Sequence, residues 1–577
     1  MEVDGMSKKK IVSLVSVLLV MFLVLSACST ADTDKPAETN KQDGADQPAE
    51  SAPQEGGSDS DGILNELGME PIVKEPYTLT IGIPQNTNVE NYDTNHYTQL
   101  LEKKSGIDIK FELFPAKDAK QKLAVMISGG SALPDIVSLV GLTDLEVYSY
   151  GSQGYFLPLN DYFKNSSHYF KLAVEEHGLD TLLNDVTSAD GNIYTVPLYH
   201  PEYGNEWDHR AWINKTWLEA LDLDMPTTTD EYYEVLKAFK EKDPNGNGKA
   251  DEIPFIGDIN GWNSQPQKFF MNAFIYYNDS YNYLLVDNGK IDTGANKDEW
   301  KQGLEYLNKL YSDGLISPLT FTQDRAQLQQ VIENPDAQII GSVASGSMSM
   351  YQTDSKRKED MTHLPPLTGP DGVCWSTKRY QGPQNASYVT KDAKDPEVAF
   401  RLLDLMCETE LSVTSRFGEF EKDWKFATEA DKGTGLYEDM GIPATILVIN
   451  NHWGQPQNAE WADSQAAIRP YKYGIGGMTW DGNPYDSQYM TAQAVPFYID
   501  KAPEEVILKV PFTTEENDRI SEILNSLKTY IDESTQRFIV GDMPFSEWDN
   551  YVSELNNIGL EEYLEVVQQA YDRYNGK

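Results

Sequence analysis

Alternating apolar and polar residues mark Tyr77-Thr78-Leu79-Thr80-Ile81-Gly82-Ile83 as a β-strand. The same alternation predicts a second strand in Ile107-Asp108-Ile109-Lys110-Phe111-Glu112-Leu113, and a short apolar run predicts a buried third strand in Leu133-Pro134-Asp135-Ile136-Val137-Ser138-Leu139. Helical spacing of apolar residues separates these strands, over residues 97–105 and 117–128. This strand–helix–strand–helix–strand order predicts an α/β domain with a mainly parallel sheet.

The remaining chain continues with one more strand and a series of helices. Asn192-Ile193-Tyr194-Thr195-Val196-Pro197 is predicted to be a strand that leaves the first domain. Apolar spacing predicts helices over residues 212–221, 229–242 and 300–311, and mostly helical structure from residue 395 to residue 575. We therefore expect a helix-rich C-terminal part.

The amino-terminal segment has the features of an export signal. Lys8-Lys9-Lys10 precede an apolar run over residues 11–25, and the small residues Ser26-Ala27 precede Cys28. This arrangement resembles the signal of bacterial lipoproteins, which implies removal of residues 1–27 and a lipid on the sulfur of Cys28. The alternative is one membrane-spanning anchor, but this apolar run is shorter than the roughly 20 residues that a span needs.

Residues 28–75 have the composition of a tether. They consist mostly of Asp, Glu, Ser, Ala, Pro, Gln and Gly, with almost no large apolar residue before Ile63. Such a segment buries too little apolar surface to offset its ordering entropy, so we expect it to be disordered. A disordered tether after a lipidated cysteine holds a folded body away from the membrane.

Composition excludes some classes of partner and leaves others open. The chain has 47 Lys and Arg against 91 Asp and Glu, a formal net charge of -44, which excludes nucleic acid as a partner but suits a neutral ligand or a divalent cation. Its 33 Tyr and 11 Trp provide aromatic faces on which sugar rings can stack. Apart from Cys28, the cysteines are Cys374 and Cys407, which either pair or remain free thiols.

Ser128-Gly129-Gly130-Ser131-Ala132-Leu133-Pro134-Asp135-Ile136 is the first of five segments that follow one another in a fixed order. The others span residues 154–161, 190–197, 217–232 and 541–575. Together these segments resemble the extracellular solute-binding proteins of bacterial ABC importers, family 1, and the last is similar to the large lipoproteins of Gram-positive bacteria. The resemblance covers nearly all of the chain after residue 76.

This resemblance implies an α/β fold of two lobes, joined by crossing hinge strands, with a ligand cleft between them. The first lobe is expected to hold about residues 76–195 and 335–395, and the second about residues 196–334 and 396–577. The implied mechanism is closure of the hinge on a ligand, followed by docking on the permease subunits of the importer. The implied location is the outer face of the cell membrane, with the protein acting as a lipid-anchored monomer.

Residues 243–252 carry oxygen donors at alternating positions of a calcium loop. Gly248 lies at position 6, where an EF-hand loop turns sharply, but Pro254 at position 12 cannot ligate a metal, so Glu252 is expected to replace it. The pattern resembles the calcium loop of alginate-oligosaccharide-binding proteins of the same family. The alternative is a solvated turn rich in Gly and Asn. The resemblance implies that a structural Ca²⁺ is held by Asp243, Asn245, Asn247, Lys249, Asp251 and Glu252.

A sugar-binding cleft needs aromatic platforms beside polar groups that reach the hydroxyls. Asp135 is a further candidate because it lies at a strand end, where ligands of open α/β sheets bind. Arg379 is a candidate partner for the carboxylate of a uronate, and a surface salt bridge is its alternative role. For each aromatic residue the alternative role is packing. The candidate substrate-binding residues are Asp135, Tyr203, Trp207, Trp262, Trp375, Arg379, Trp453 and Trp480.

These features favour an oligosaccharide receptor over an enzyme. The chain contains no Gly-x-Ser-x-Gly, His-Glu-x-x-His or Walker sequence, and carboxylate pairs arise by chance in so acidic a chain. The alternatives are an exported glycoside hydrolase or lyase, and a sensory or adhesion lipoprotein. A peptide or a small organic solute also remains open as the ligand.

Overall fold

The computed structural model describes residues 62–452, 455–507 and 509–576. Its strands are short and are distributed along the whole chain. In chain order they are β1 (Tyr77–Pro84), β2 (Ile107–Phe114), β3 (Ile136–Ser138), β4 (Val196–Tyr199), β5 (Ala211–Asn214), β6 (Ile253–Ile256), β7 (Leu284–Asp287), β8 (Lys290–Thr293), β9 (Ile340–Ala344), β10 (Met361–Leu364), β11 (Gln384–Val389), β12 (Trp424–Phe426), β13 (Ile446–Val448) and β14 (Ala467–Ile468).

Helices surround these strands and make the C-terminal part helix-rich, but the described residues between Phe417 and Ser487, which were predicted to be mostly helical, form short strands and loops without an α-helix. The helices are α1 (His96–Ser105), α2 (Ala119–Ser128), α3 (Asp144–Ser152), α4 (Asn160–Asn165), α5 (Tyr169–His177), α6 (Tyr203–Glu206), α7 (Lys215–Ala220), α8 (Thr229–Glu241), α9 (Pro266–Phe270), α10 (Asp298–Ser312), α11 (Arg325–Ile332), α12 (Pro396–Leu405), α13 (Thr409–Phe417), α14 (Ser487–Tyr498), α15 (Thr514–Val540), α16 (Trp548–Ile558) and α17 (Leu560–Tyr574).

The first sheet has the strand order β14-β4-β11-β3-β1-β2. β1 is parallel to β2 along its whole length and is also parallel to β3. β11 runs antiparallel to both of its neighbours, and β14 is parallel to β4. The sheet is therefore mainly parallel, as predicted, and the carboxyl ends of all its strands except β11 lie at one edge.

The second sheet has the strand order β10-β5-β9-β6, and each sheet has its own hydrophobic core. Leu79 and Ile109 are buried in the core of the first sheet, and Trp212 and Phe255 in the core of the second. The expected two-lobed α/β fold is confirmed. Two short hairpin-like pairs, β7 with β8 and β12 with β13, are added to these lobes.

Within the described residues, three segments connect the first sheet to elements of the second lobe. Crossing 1 (residues 200–210) joins β4 to β5, crossing 2 (365–383) joins β10 to β11, and crossing 3 (469–486) joins β14 to α14. Crossings 1 and 3 leave the first sheet at its carboxyl edge, and crossing 2 enters it at the same edge because β11 is antiparallel. All three crossings are thus close together, which is the arrangement that a hinge requires.

The lobe boundaries differ from those expected from the sequence. β9, within the segment 335–395 that was assigned to the first lobe, lies in the second sheet between β5 and β6. Conversely, Trp461 and β14 lie in the first lobe, although residues 396–577 were assigned to the second. Strand pairing between segments far apart in sequence decides these positions, and local patterns do not report it.

The expected tether ends earlier than residue 75. Leu64, Ile72 and Val73 are buried in the core of the first lobe, and Leu64 forms a β-bridge with Val73. These apolar side chains provide burial that offsets the ordering entropy of this segment. Cys28 and the signal segment lie outside the described residues.

Two further expectations concern cysteines and membrane helices. Cys374 and Cys407 are free thiols, so they do not pair with each other. No helix in the part of the chain that the structure describes is long and apolar enough to cross a membrane.

Asp404, on α12, satisfies the amino terminus of α5 from a different part of the chain. Its carboxylate accepts hydrogen bonds from the Ser167 hydroxyl (2.7 Å) and from the backbone N–H groups of His168 (2.8 Å), Tyr169 (3.0 Å) and Phe170 (3.1 Å). These donors have no partner within the helix, so the carboxylate acts as a cap supplied by tertiary structure.

We expect Asp404→Ala to lower the free energy of unfolding by about 3 kcal/mol, because it leaves buried donors without an acceptor. Urea denaturation measures this change. Asp161→Ala, at an exposed position of α4, is the control and should change stability little. Equal midpoints for the two variants would contradict the capping role of Asp404.

Candidate functional site

The candidate functional site lies where the crossings meet the carboxyl ends of β6 and β9. The backbone N–H of Gly346, just after β9, donates to the carbonyl of Trp262, in the loop that follows β6 (2.9 Å). The side-chain amide of Asn263 in the same loop donates to the carbonyl of Asp208 on crossing 1 (3.0 Å). The first bond holds the loop over residues 257–265 against the end of β9, and the second holds it against crossing 1.

Arg379, on crossing 2, is the centre of a charged network. Its Nε lies 2.6 Å from Oδ2 of Asp208, and its Nη2 lies 2.8 Å from Oδ1 of Asp279. The guanidinium also contacts the hydroxyl of Ser280 and Oδ1 of Asn263. Because ion pairs and charged hydrogen bonds from one planar group reach several segments, Arg379 fixes crossing 2 against crossing 1 and the second lobe.

Asp279 receives two further partners on its other side. Lys268 Nζ lies 2.7 Å from Oδ2, and His209 Nε2 lies 3.2 Å from Oδ1. Burial alone would raise the pKa of Asp279, but the hydrogen bond with His209 and the charges of His209, Lys268 and Arg379 outweigh burial and hold this pKa well below its usual range. The other ring nitrogen of His209 lies 2.6 Å from the hydroxyl of Thr377, which fixes the orientation of the ring.

Trp262 presents an aromatic face beside this network. Its side chain is 40% exposed, which is unusual for so large an apolar group, and its Nε1–H donates to Oδ2 of Asp208 (2.9 Å). A side chain at Gly346 would collide with the indole, because a Cβ there would lie 2.5 Å from the ring. The indole is therefore held in one orientation by a hydrogen bond at its edge and by backbone beneath it.

Tyr203 and Trp207 lie on crossing 1, but they have different environments. The ring centroid of Tyr203 lies 4.3 Å from that of Tyr471 on crossing 3 and 5.8 Å from that of Tyr437. Trp207 is only 4% exposed and belongs to the core of the second lobe, with Lys378 Nζ 5.8 Å from its ring centroid. Tyr203 joins two crossings, whereas Trp207 is a packing residue.

The other predicted tryptophans are not gathered around Arg379. Trp480 stacks on Tyr489 with centroids 4.0 Å apart and donates through Nε1 to the carbonyl of Asn483 (2.9 Å). Trp375 is half-buried on crossing 2, and its backbone N–H donates to the carbonyl of Asn272 (2.9 Å). Trp453 lies outside the described residues.

Asp135 has structural partners that occupy its carboxylate. Oδ2 accepts from the backbone N–H (2.8 Å) and hydroxyl (2.6 Å) of Thr80, and Oδ1 accepts from the N–H of Lys394 (3.0 Å). Asp135 directly precedes β3, so it lies at the amino end of that strand, opposite the edge where the crossings lie. The expectation of a ligand-facing strand end at Asp135 is wrong, because Asp135 lies at the amino end of β3 and its carboxylate is bonded to Thr80 and Lys394.

Sequence reasoning missed four residues of the network: Asp208, His209, Lys268 and Asp279. Asp208-His209-Arg210 places three polar residues directly before the buried strand β5, and such a polar run beside an apolar strand was a usable signal. Lys268 and Asp279 have no comparable signal, because only the fold brings them to Arg379.

A second polar cluster lies near crossing 3, in the first lobe. Arg416 and Arg469 both pair with Asp463, and Glu460, which is 1% exposed, accepts from the Gln457 amide (2.8 Å). Burial, and then the charge of Asp463, raise the pKa of Glu460 to about 8. Arg416 also lines a cavity of about 90 Å³.

The predicted calcium loop follows α8 and is curled by hydrogen bonds from its own backbone. The carboxylate of Asp243 accepts from the N–H groups of Asn247 (3.0 Å) and Gly248 (2.8 Å). Oδ1 of Asn245 accepts from the N–H of Asn247 (3.0 Å), and Oδ1 of Asn247 accepts from that of Lys249 (2.8 Å). Gly248 has a φ of 73°, so the sharp turn predicted at this position is present.

The two acidic residues that end the loop differ in their partners. The carboxylate of Asp251 accepts hydrogen bonds from the side-chain amides of Asn245 (3.1 Å) and Asn247 (3.0 Å), whereas Glu252 has an oxygen that fits a cation. Oε1 of Glu252 is buried and has no hydrogen-bond partner within the described structure, which is costly for a carboxylate. Burial, and then the charges of Asp251 and Asp243, raise the pKa of Glu252. No group of three or more His, Cys, Asp or Glu side chains among the described residues is arranged to hold a metal ion. Half of the predicted donors in this loop are instead amide or backbone oxygens.

Comparison with known proteins identifies the family. Residues 90–411, more than half of the chain, match the profile of the bacterial extracellular solute-binding proteins. The chain belongs to this family. The resemblance described by the five sequence segments is confirmed.

Two of the relatives found by sequence have sugar-related names. The chain is 29% identical over 487 residues to the fructooligosaccharide ABC transporter substrate-binding protein FusA of Streptococcus pneumoniae, covering 82% of this chain and 86% of FusA. It is 23% identical over 488 residues to the polygalacturonan/rhamnogalacturonan-binding protein YtcQ of Bacillus subtilis, covering 82% and 87% of the two chains.

Solved structures of relatives have the same fold. FusA of S. pneumoniae in complex with kestose has a TM-score of 0.69 and 25% identity, covering 86% of this chain and 99% of that chain. An EF-hand mutant of FusA in complex with fructo-nystose has a TM-score of 0.67 and 26% identity over the same shares. The alginate-binding protein AlgQ2 without calcium ion has a TM-score of 0.56 and 22% identity, covering 88% and 100% of the two chains, which is a likeness of fold alone.

The raised pKa of Glu460 predicts a pH dependence of stability. The folded protein keeps this proton up to about pH 8, whereas an unfolded Glu releases it near its ordinary pKa of 4.5. The folded state thus binds more protons than the unfolded state in this interval. The contribution of Glu460 to the free energy of unfolding therefore falls as the pH rises from 4.5 to about 8, by an amount on the order of a few kcal/mol.

Glu460→Gln mimics the protonated form and should therefore gain stability relative to the unmodified protein as the pH rises. Urea unfolding at pH 5, 6.5 and 8 measures the difference between the two proteins. Glu522→Gln, at an exposed position of α15, is the control and should follow the unmodified protein. A constant difference across the three pH values would mean that Glu460 titrates normally.

Proposed function

We propose that this protein is the extracellular receptor of an ABC importer, which binds an oligosaccharide between its two lobes and delivers it to the permease. The proposal is carried by one observation: the likeness to a fructooligosaccharide-binding protein extends over most of both chains. The exposed face of Trp262 beside a hydrogen-bonding network supports it, because an aromatic face and nearby polar groups suit a sugar ring.

The charges of the site favour a neutral sugar over a uronate. Arg379 and Lys268 bring two positive charges, and Asp208 and Asp279 bring two negative charges at distances of 2.6–2.8 Å. Arg379 thus already has carboxylate partners and does not offer a free positive charge to an acidic sugar. An acidic oligosaccharide is the second candidate, because a relative is named for binding polygalacturonan.

Binding and release follow from the position of the site at the hinge. A ligand on Trp262 lies where the crossings meet, so contacts from both lobes to one molecule stabilise a closed form. Asp208 holds the indole and the guanidinium before the ligand arrives, which lowers the ordering cost of binding. The closed form is then the state that the permease subunits recognise.

A structural calcium ion is part of this proposal. The solved structures of FusA include an EF-hand mutant, and the unpaired carboxylate oxygen of Glu252 fits a cation ligand. When bound, Ca²⁺ neutralises the clustered carboxylates of the loop. The residues that would hold it are Asp243, Asn245, Asn247, Lys249 through its carbonyl, Asp251 and Glu252.

Membrane anchoring and a role without catalysis complete the proposal. A lipid on Cys28 would hold the monomeric receptor at the outer face of the membrane, next to its permease. The relatives are named as substrate-binding proteins, which supports a role without catalysis. An oligosaccharide recovered intact after overnight incubation with the protein would agree with this role, and a shortened one would favour a glycoside hydrolase or lyase.

We expect the purified protein to bind kestose and nystose, and Trp262→Ala to bind them at least about tenfold more weakly because the stacking surface is lost. Isothermal titration calorimetry measures both affinities. Phe497→Ala removes an aromatic side chain that is similarly exposed, at 47%, and should bind as the unmodified protein does. Trigalacturonate should bind more weakly than the neutral sugars, and the reverse order would favour the acidic candidate.

We expect chelation of calcium to lower the melting temperature by several degrees, because a bound ion stabilises the folded state only. Asp243→Ala should melt at the chelated value and show no response to added Ca²⁺. Asp224→Ala, an exposed acidic residue outside the loop, should keep the full response. A melting temperature that does not depend on calcium in the unmodified protein would contradict a structural ion.

A further inference from the structure

A cavity of about 300 Å³ lies in the second lobe beside the charged network. Lys268 and Asp279 line this cavity, and Asp279 also bonds to Arg379 and His209, so the cavity and the candidate site share a wall. Its volume is at the lower end of the range of about 300–1,000 Å³ that small-molecule sites occupy. None of the functions discussed so far uses this cavity.

The loop that carries Trp262 also forms part of the cavity. Ile259 and Gln265 of this loop line the cavity, whereas Trp262 between them is exposed beside Asp208. The loop is braced from within, since the buried carboxylate of Asp258 accepts from the N–H of Asn260 (3.0 Å). Ile259 and Gln265 are each three residues from Trp262 in the chain, so the Cα atoms of these lining residues lie within about 11 Å of the Cα of Trp262.

The lining of the cavity suits neutral hydroxyl groups. Gln265, Gln267 and Gln536 line the cavity with amides. The amide of Gln265 donates to the carbonyl of Ile259 (3.1 Å) and that of Gln267 to Oε1 of Gln265 (3.2 Å), and each amide has a second N–H that can donate to a ligand hydroxyl. Ile259 and Phe321 add apolar surface, against which the CH face of a sugar ring can pack.

The charges of the cavity do not suit an anion. Lys268 is paired with Asp279 and Lys528 with Asp532, each at 2.7 Å, so both cations are compensated. Glu533 adds a further negative charge to the lining. An acidic ligand would meet repulsion here, and a neutral polyhydroxylated chain would not.

We propose that this cavity is a chain-extension subsite, which binds the rings of a neutral oligosaccharide beyond those on Trp262. It gives longer chains a higher affinity and so sets the length that the receptor prefers. The proposal rests on the proposed function. It takes an oligosaccharide that has one end on Trp262 and assigns this cavity as the binding site of its other end.

The test compares ligands of increasing length on variants of the cavity. The probes are kestose, nystose and a fructo-oligosaccharide of six rings, measured by calorimetry. Gln536→Trp fills the cavity from an exposed position of α15, so the fold should tolerate it, and Gln267→Ala removes one amide. Gln121→Trp, at an exposed position of α2 in the other lobe, is the matched control.

The unmodified protein and Gln121→Trp should bind the longest sugar most tightly. Gln536→Trp should lose about tenfold in affinity for the longest sugar while its affinity for kestose stays within about twofold. Gln267→Ala should change in the same direction by a smaller factor. Melting curves establish whether each variant is folded. If Gln536→Trp does not fold, the result for Gln267→Ala decides the test.

Two outcomes would overturn the subsite alone. One is an affinity of the unmodified protein that does not rise from three to six rings. The other is an equal loss for kestose and the longest sugar in the cavity variants. In a third outcome, the unmodified protein binds none of the neutral or acidic oligosaccharides at any length. This result would overturn the proposed function, and the subsite with it.

Discussion

Arg379 reaches from crossing 2 to Asp208 on crossing 1 and to Asp279 in the second lobe, and the candidate site is arranged around these ion pairs. Through Asp208 they orient the indole of Trp262, and through Asp279 they reach Lys268 and the neighbouring cavity. Buried ion pairs add little net stability, because desolvation offsets their attraction. What they provide here is a defined geometry at the point where the chain passes between lobes.

The same balance of charge gives the site its chemical character. The protein is strongly acidic, with a net charge of -44, yet the positive and negative groups around Arg379 compensate each other. A neutral ligand with many hydroxyl groups fits such a site, since hydrogen bonds need no net charge. The acidic loop after α8 lies apart from this network and is suited to a divalent cation instead.

Local structure was predictable where one physical signal was strong. The strand predicted over residues 77–83 is observed as Tyr77–Pro84, and the helix predicted over residues 229–242 is observed as Thr229–Glu241, where the side chain of Thr228 caps the first turn (3.1 Å). The strand predicted over residues 133–139 is only Ile136–Ser138, because Asp135 is held by bonds to Thr80 and Lys394 instead. A periodic pattern reports burial, but it does not report which distant group will bind a side chain.

The sequence by itself determined the α/β class, the mainly parallel first sheet, the family and the turn of the loop at Gly248, because each depends on local patterns or on motifs in order. Only the tertiary structure decided that β9 joins the second sheet, that Trp207 is a packing residue and that Trp262 is exposed. It also decided that Asp208 and Asp279, 71 residues apart in the chain, meet at one guanidinium. These outcomes depend on contacts between distant segments, and their free energy is spread over partners that no single stretch of sequence contains.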